Sequence, residues 1–92
     1  MIAARDAAPG ADIIGVTSHD GPPSIQGEAD GAAALPHLLR LARQASDDGA
    51  RAVIIGCFDD TGLPEARAAC ACPVIGIGQA GYHLAALAGA RF

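Results

Sequence analysis

The sequence predicts a three-layer α/β fold, with helices on the faces of a parallel sheet, and two features of the 92-residue chain lead to it. Stretches at helical spacing alternate with short apolar runs, the order expected of strands joined by right-handed helical crossovers. Each run is apolar almost throughout, as strands covered on both faces are, and lacks the in-out alternation of a half-exposed sheet.

Taken in order, residues 1–8 have helical composition and read as the tail of a helix. Asp12, Ile13, Ile14, Gly15 and Val16 lie between Pro9-Gly10 and a loop over residues 17–23, and read as a buried first strand. From Asp30 to Asp47 the spacing becomes helical: Leu35, Leu38, Leu39, Ala42 and Ala45 share one side, while Arg40, Arg43, Gln44 and Asp47 can face water. Pro36 either kinks this helix near its first turns or marks where its regular part begins. Gly49 has the permissive backbone that ends a helix, and a second strand over residues 52–56 follows.

Residues 63–71 read as a short helix, with Pro64 near the first position, where no backbone donor is needed, and Glu65 where a negative charge suits the dipole. A third strand over residues 73–78 leads to a helix over 79–88, with Leu84, Ala85, Leu87 and Ala88 on its apolar side. Gly89 onward closes that helix and points toward a further strand. Three strands are few for such a sheet. The expectation is one incomplete N-terminal α/β domain over residues 1–92, cut from a longer two-domain protein whose second domain lies outside this chain.

Composition narrows the function. The chain is 51% hydrophobic, 17% charged and 3% aromatic, which is foldable and far from the disordered class. Much of the apolar content is alanine, so the core should be small. The formal charge of −4 comes without a lysine, and the six arginines are scattered, which leaves no basic stripe for nucleic acid. No apolar run approaches the about 18 uncharged residues of a membrane span, and the first residues lack the order of a secretory signal. A cytoplasmic protein without nucleic-acid or membrane partners is the expectation, with a homo-oligomer left open.

Ligand sites in open parallel sheets lie beyond the carboxyl ends of the strands, so the loops starting at Thr17, Cys57 and Gly78 should gather on one side. Cys57 is the first candidate. It follows a strand and precedes a helix start, where backbone donors favour a thiolate; a small buried hydrophobe at a strand end is the alternative. Asp59 and Asp60 oppose thiolate formation by charge, or one of them caps the short helix. Thr17 and Ser24 can donate to a ligand or simply make turns. His19, His37 and His83 read as ordinary loop, helix-surface and packing residues.

Gly76, Gly78 and Gly81 do not match the dinucleotide glycine pattern, but they allow a small ligand close to the backbone. Cys70 and Cys72 have the wrong spacing for a redox or zinc pair and read as small, partly buried thiols; ligation of a metal with a histidine is the alternative.

Three motifs in order, Gly21-Pro22-Pro23-Ser24-Ile25, then Ile54-Ile55-Gly56-Cys57-Phe58-Asp59-Asp60-Thr61-Gly62-Leu63, then Pro73-Val74-Ile75-Gly76-Ile77-Gly78-Gln79-Ala80 with His83, resemble the aspartate/glutamate racemase superfamily, its hydantoin racemase branch above all. The resemblance implies a fold of two similar α/β domains, each lending one cysteine to the cleft between them. It implies racemisation of amino acids or 5-substituted hydantoins without pyridoxal phosphate, metal or other cofactor. Cys57 would be the first domain's catalytic cysteine, with Thr17, Ser24, Phe58, Asp59, Gly78 and Gln79 around the substrate.

Thr61 stands where this branch usually has proline, which should loosen the turn while leaving the thiol in place. Gln79 replaces a common glutamate. The 92 residues alone should not racemise measurably, because the partner cysteine lies elsewhere. Two alternatives stay open: an isomerase or decarboxylase of a small diacid from the same superfamily, and a non-catalytic binding or interaction module.

Overall fold

Val53, Ile54 and Ile55 pair in parallel with Val74, Ile75 and Gly76, and the Val53 N–H also donates to the Pro73 carbonyl at 2.9 Å. These strands, β1 (Val53–Ile55) and β2 (Val74–Gly76), form a two-stranded sheet in a computed structural model that describes residues 2–22 and 26–89. The helices are α1 (Ile2–Ala7), α2 (Glu28–Asp47), α3 (Leu63–Ala69) and α4 (Ile77–Leu87). The chain is thus a small α/β domain with a parallel sheet, the class its residue pattern predicts.

The sheet has two strands where three were expected. Residues 12–16 form no strand, and Ile14 and Val16 are 78% and 62% exposed. An apolar run becomes a strand only when a neighbour takes its backbone hydrogen bonds, and none of the described segments pairs with this one. Of the further strand expected after Gly89, residues 90–92 lie outside the described residues.

Side chains alternate across a strand, so each strand sends neighbours to opposite faces. Ile55 and Val74 are buried on one face, at 4% exposure each. Their neighbours Ile54 and Ile75, paired across the sheet, are exposed at 62% and 41%. Against the buried face, α2 and α3 pack on each other and on the strands. The core is Ala42, Ile55, Leu63, Ala66 and Val74, edged by Leu38, Leu39, Val53, Cys57 and Cys70. Burying a large aliphatic side chain contributes about 1.5–3 kcal/mol, and two of the five core residues are alanines, which add far less.

Helix α2 begins at Glu28 and runs through Pro36 to Asp47, so the proline lies inside the helix and does not mark its start. Its carboxyl end turns at Gly49, φ 93°, and Ser46 Oγ accepts from the Ala71 N–H at 2.9 Å, tying α2 to the turn after α3. Helix α4 starts at Ile77, directly from β2. The loop expected to begin at Gly78 is therefore the first turn of a helix.

Candidate functional site

Beyond β1 the chain makes two successive tight turns. The Asp60 N–H donates to the Cys57 carbonyl at 3.0 Å, and the Leu63 N–H donates to the Asp60 carbonyl at 3.1 Å. Asp60 and Gly62 take positive φ, 51° and 73°. Aspartate and glycine tolerate that left-handed backbone better than most residues. Glycine is needed at 62 for a second reason, because a Cβ there would come 2.6 Å from Leu38 Cδ2 on α2.

This path folds residues 57–61 around the Cys57 sulfur. Thr61 Oγ1 lies 3.6 Å from Sγ, and the backbone N–H groups of Asp59 and Thr61 favour its thiolate electrostatically. The thiol is held below its usual pKa, chiefly by the Thr61 hydroxyl; burial works against this, the two N–H groups reinforce it, and the Asp59 carboxylate opposes it. Cys57 is half-buried, one flank resting on the core. The arrangement suits a sulfur that gains and loses a proton at an accessible turn.

The two strand ends are joined through Asp60. Its Oδ1 accepts from the Gly78 N–H at 3.0 Å and its Oδ2 from the Gln79 N–H at 2.7 Å. Both donors belong to the first turn of α4, where helical N–H groups lack intrahelical partners and a negative charge is favoured. One of the paired aspartates was expected to cap α3. Instead α3 starts behind Gly62 with no side-chain cap, and Asp60 caps α4 from another part of the chain. The left-handed turn at Asp60 points its carboxylate across to β2, away from α3.

Glycine is required on the receiving side. A Cβ on Gly76 would run into the Asp60 carboxylate, and one on Gly78 into the Phe58 carbonyl. The turn bearing Cys57 and the start of α4 are therefore in direct contact, as expected of two strand ends on one side of the sheet.

The remaining candidates are distributed unevenly. Phe58 and Asp59 are exposed beside Cys57, Phe58 at 73%. Gly78 is buried, and its N–H, like that of Gln79, is engaged by Asp60. The Gln79 side-chain carbonyl accepts from Arg67 Nη2 at 2.6 Å, and Arg67 Nε donates to the Val74 carbonyl at 3.1 Å.

Thr17 is exposed in the segment before α2, where Arg40 meets Asp20 at 3.4 Å, and no hydrogen bond joins it to the Cys57 turn. Ser24 lies outside the described residues. His83 is exposed on α4, along a groove lined also by Asp60, Gln79, Tyr82 and Ala86. Burial pushes the Cys70 thiol up, with the neighbouring Cys72 adding to it. Among the described residues no three of His, Cys, Asp and Glu gather as a metal ion would need.

Two residues of this arrangement were not among the sequence candidates for the site. Asp60 carries no local signal of its role, because its partners are 18 and 19 positions away and meet it only through strand pairing. Thr61 carries a faint one, its position four residues after Cys57 and directly before Gly62.

The family model for Asp/Glu/hydantoin racemases matches residues 1–92, and the chain belongs to that family. Within it the chain falls in the hydantoin/allantoin branch. It is 45% identical over 73 residues to the hydantoin racemase of Rhizobium meliloti, covering 79% of this chain and 30% of the relative. It is 33% identical over 80 residues to that of Pseudomonas sp. (strain NS671), covering 87% and 32%. Among solved structures, the allantoin racemase from Klebsiella pneumoniae superposes with a TM-score of 0.85 at 39% identity, over 92% of this chain and 36% of that one. The chain thus spans about a third of the length of the relatives it matches.

Proposed function

We propose that Cys57 is one of two cysteines that racemise a 5-substituted hydantoin, or a related amino-acid derivative, by proton transfer without a cofactor. In this reading residues 1–92 supply the first domain's cysteine to the site and the opposing cysteine comes from sequence beyond them. Membership of the racemase family and its hydantoin/allantoin branch supports the substrate class. Allantoin is itself a hydantoin substituted at C5, so both relatives' substrates share one reacting centre.

The Cys57 thiolate removes the C5 proton and becomes a thiol. The C–H electron pair moves into the adjacent ring carbonyl as an enolate. The opposing thiol then delivers a proton to the other face and is left as thiolate. Turnover in the opposite direction restores both sulfurs. A donor at the enolate oxygen would lower the barrier. Asp60 holds the N–H groups of Gly78 and Gln79, and the Asp59 and Thr61 N–H groups serve the sulfur. The Phe58 N–H has no such bond among the described residues and is the donor this reading assigns to the oxygen.

The observation that carries the proposal is the half-buried Cys57 sulfur beyond the end of β1, 3.6 Å from the Thr61 hydroxyl, which holds its pKa below the ordinary value. Chiral chromatography tests the substrate class, with the protein carried to the length of its relatives and given single enantiomers of 5-substituted hydantoins, allantoin, aspartate, glutamate and, separately, maleate. Loss of enantiomeric excess in the hydantoins supports the reading. Turnover of a diacid alone would replace it with the isomerase or decarboxylase alternative.

A further inference from the structure

The geometry points to Thr61 as the residue that keeps Cys57 hydrogen-bonded in both of its protonation states, a positioning residue for proton transfer at that sulfur. The inference rests on the reading of Cys57 as the proton-transfer group, but it is tested without turnover.

Thr61 Oγ1 is 3.6 Å from Cys57 Sγ, and either atom can donate. A thiol can give its hydrogen to the hydroxyl oxygen, whereas a thiolate can only receive one. A hydroxyl turns about its C–O bond and serves both cases. A carboxylate at the same place would favour only the thiol and an ammonium only the thiolate. A hydroxyl partner leaves a group that alternates between base and acid within one catalytic cycle free to take either form.

The side chain is oriented for this task. Thr61 is half-buried against α2, where its methyl lies 3.9 Å from the position a Cβ on Gly31 would take. With the methyl turned toward α2, the hydroxyl faces the sulfur. Because threonine has few χ1 choices, the contact costs little further ordering. The Thr61 N–H favours the thiolate as well, so hydroxyl and backbone of one residue act in the same direction on that form.

The test is the pH dependence of iodoacetamide alkylation at Cys57, read peptide by peptide by mass spectrometry so that Cys70 and Cys72 are counted apart. It compares the intact chain with Thr61→Val, Thr61→Ala and Thr61→Ser, circular dichroism confirming that each variant is folded. Loss of the hydroxyl in Val and Ala should move the alkylation midpoint up by about one pH unit, roughly tenfold less thiolate at a fixed pH below it. Serine should keep the midpoint near that of the parent.

Valine and alanine serve as independent replacements, so one folded variant of the two suffices. An unchanged midpoint in a folded variant overturns the role of Thr61. A shifted midpoint, with no racemisation by the protein carried to the length of its relatives, leaves Thr61 in place and removes the racemase reading instead.

Discussion

The carboxylate of Asp60 accepts the backbone N–H of Gly78 at 3.0 Å, and this contact ties the end of β1 to the start of α4. A second bond from the same carboxylate to Gln79 makes Asp60 the cap of a helix whose own preceding residue, Gly76, has no side chain to offer. Asp60→Ala should destabilise the fold by about 2 kcal/mol, from loss of the cap and from a methyl side chain at positive φ. Asp60→Asn tolerates that backbone and keeps an acceptor, so about half the cost is expected. Urea denaturation of the two variants measures the difference.

Two glycines of α4 should respond in opposite directions. Gly78→Ala puts a methyl against the Phe58 carbonyl and the Asp60 carboxylate, neither of which is the free end of a flexible chain. A loss of about 1–3 kcal/mol is expected there. Gly81 has open space around its missing Cβ, so Gly81→Ala should gain about 1 kcal/mol from helix propensity. Denaturant midpoints for the pair check both signs.

The faces of the sheet can be separated by neighbouring substitutions. Ile55→Ala removes a core side chain, at a cost of about 2–5 kcal/mol. Ile54→Ala changes a side chain that is 62% exposed and should stay within about 0.5 kcal/mol of the parent. Equal losses would contradict the register given for β1.

The thiols should separate by pH. Because the thiolate is the reactive form, a lowered pKa brings alkylation in at lower pH and a raised one delays it. Cys57 is lowered, first by the Thr61 hydroxyl, and Cys70 is raised, first by burial. As pH rises, Cys57 should therefore be modified before Cys70, which mass mapping of partly alkylated chain will show.

Much of this arrangement was legible in the residues. The apolar run before Gly56, the helical spacing around Leu38 and Ala42, and Pro64 at a helix start located β1, α2 and α3 within a few positions. Cys57 was marked as a candidate by the turn that follows it, and the motifs around it led to the racemase family that the whole chain matches.

Residues 12–16 misled because periodicity reports apolar character, whereas a strand also needs a partner for its backbone. The start of α4 was placed at Gln79, since Gly76 and Gly78 look like a loop. They are glycines because the Asp60 carboxylate and the Phe58 carbonyl occupy the space of their side chains. Such a contact depends on which strands pair, and no local spacing encodes it. For the same reason, the N–H groups of Gly78 and Gln79, expected to face a substrate, were not recognisable as already engaged.

The central claim is that Cys57 moves a proton at the substrate's chiral carbon. Its most direct test is the protein at the length of its racemase relatives, incubated in D2O with one enantiomer of a 5-substituted hydantoin. Proton NMR follows the C5–H signal while polarimetry follows optical activity. The expected result is deuterium incorporation accompanied by racemisation, the racemisation falling at least about a hundredfold in Cys57→Ala. Racemisation that continues at the parent rate in a folded Cys57→Ala protein would contradict the account.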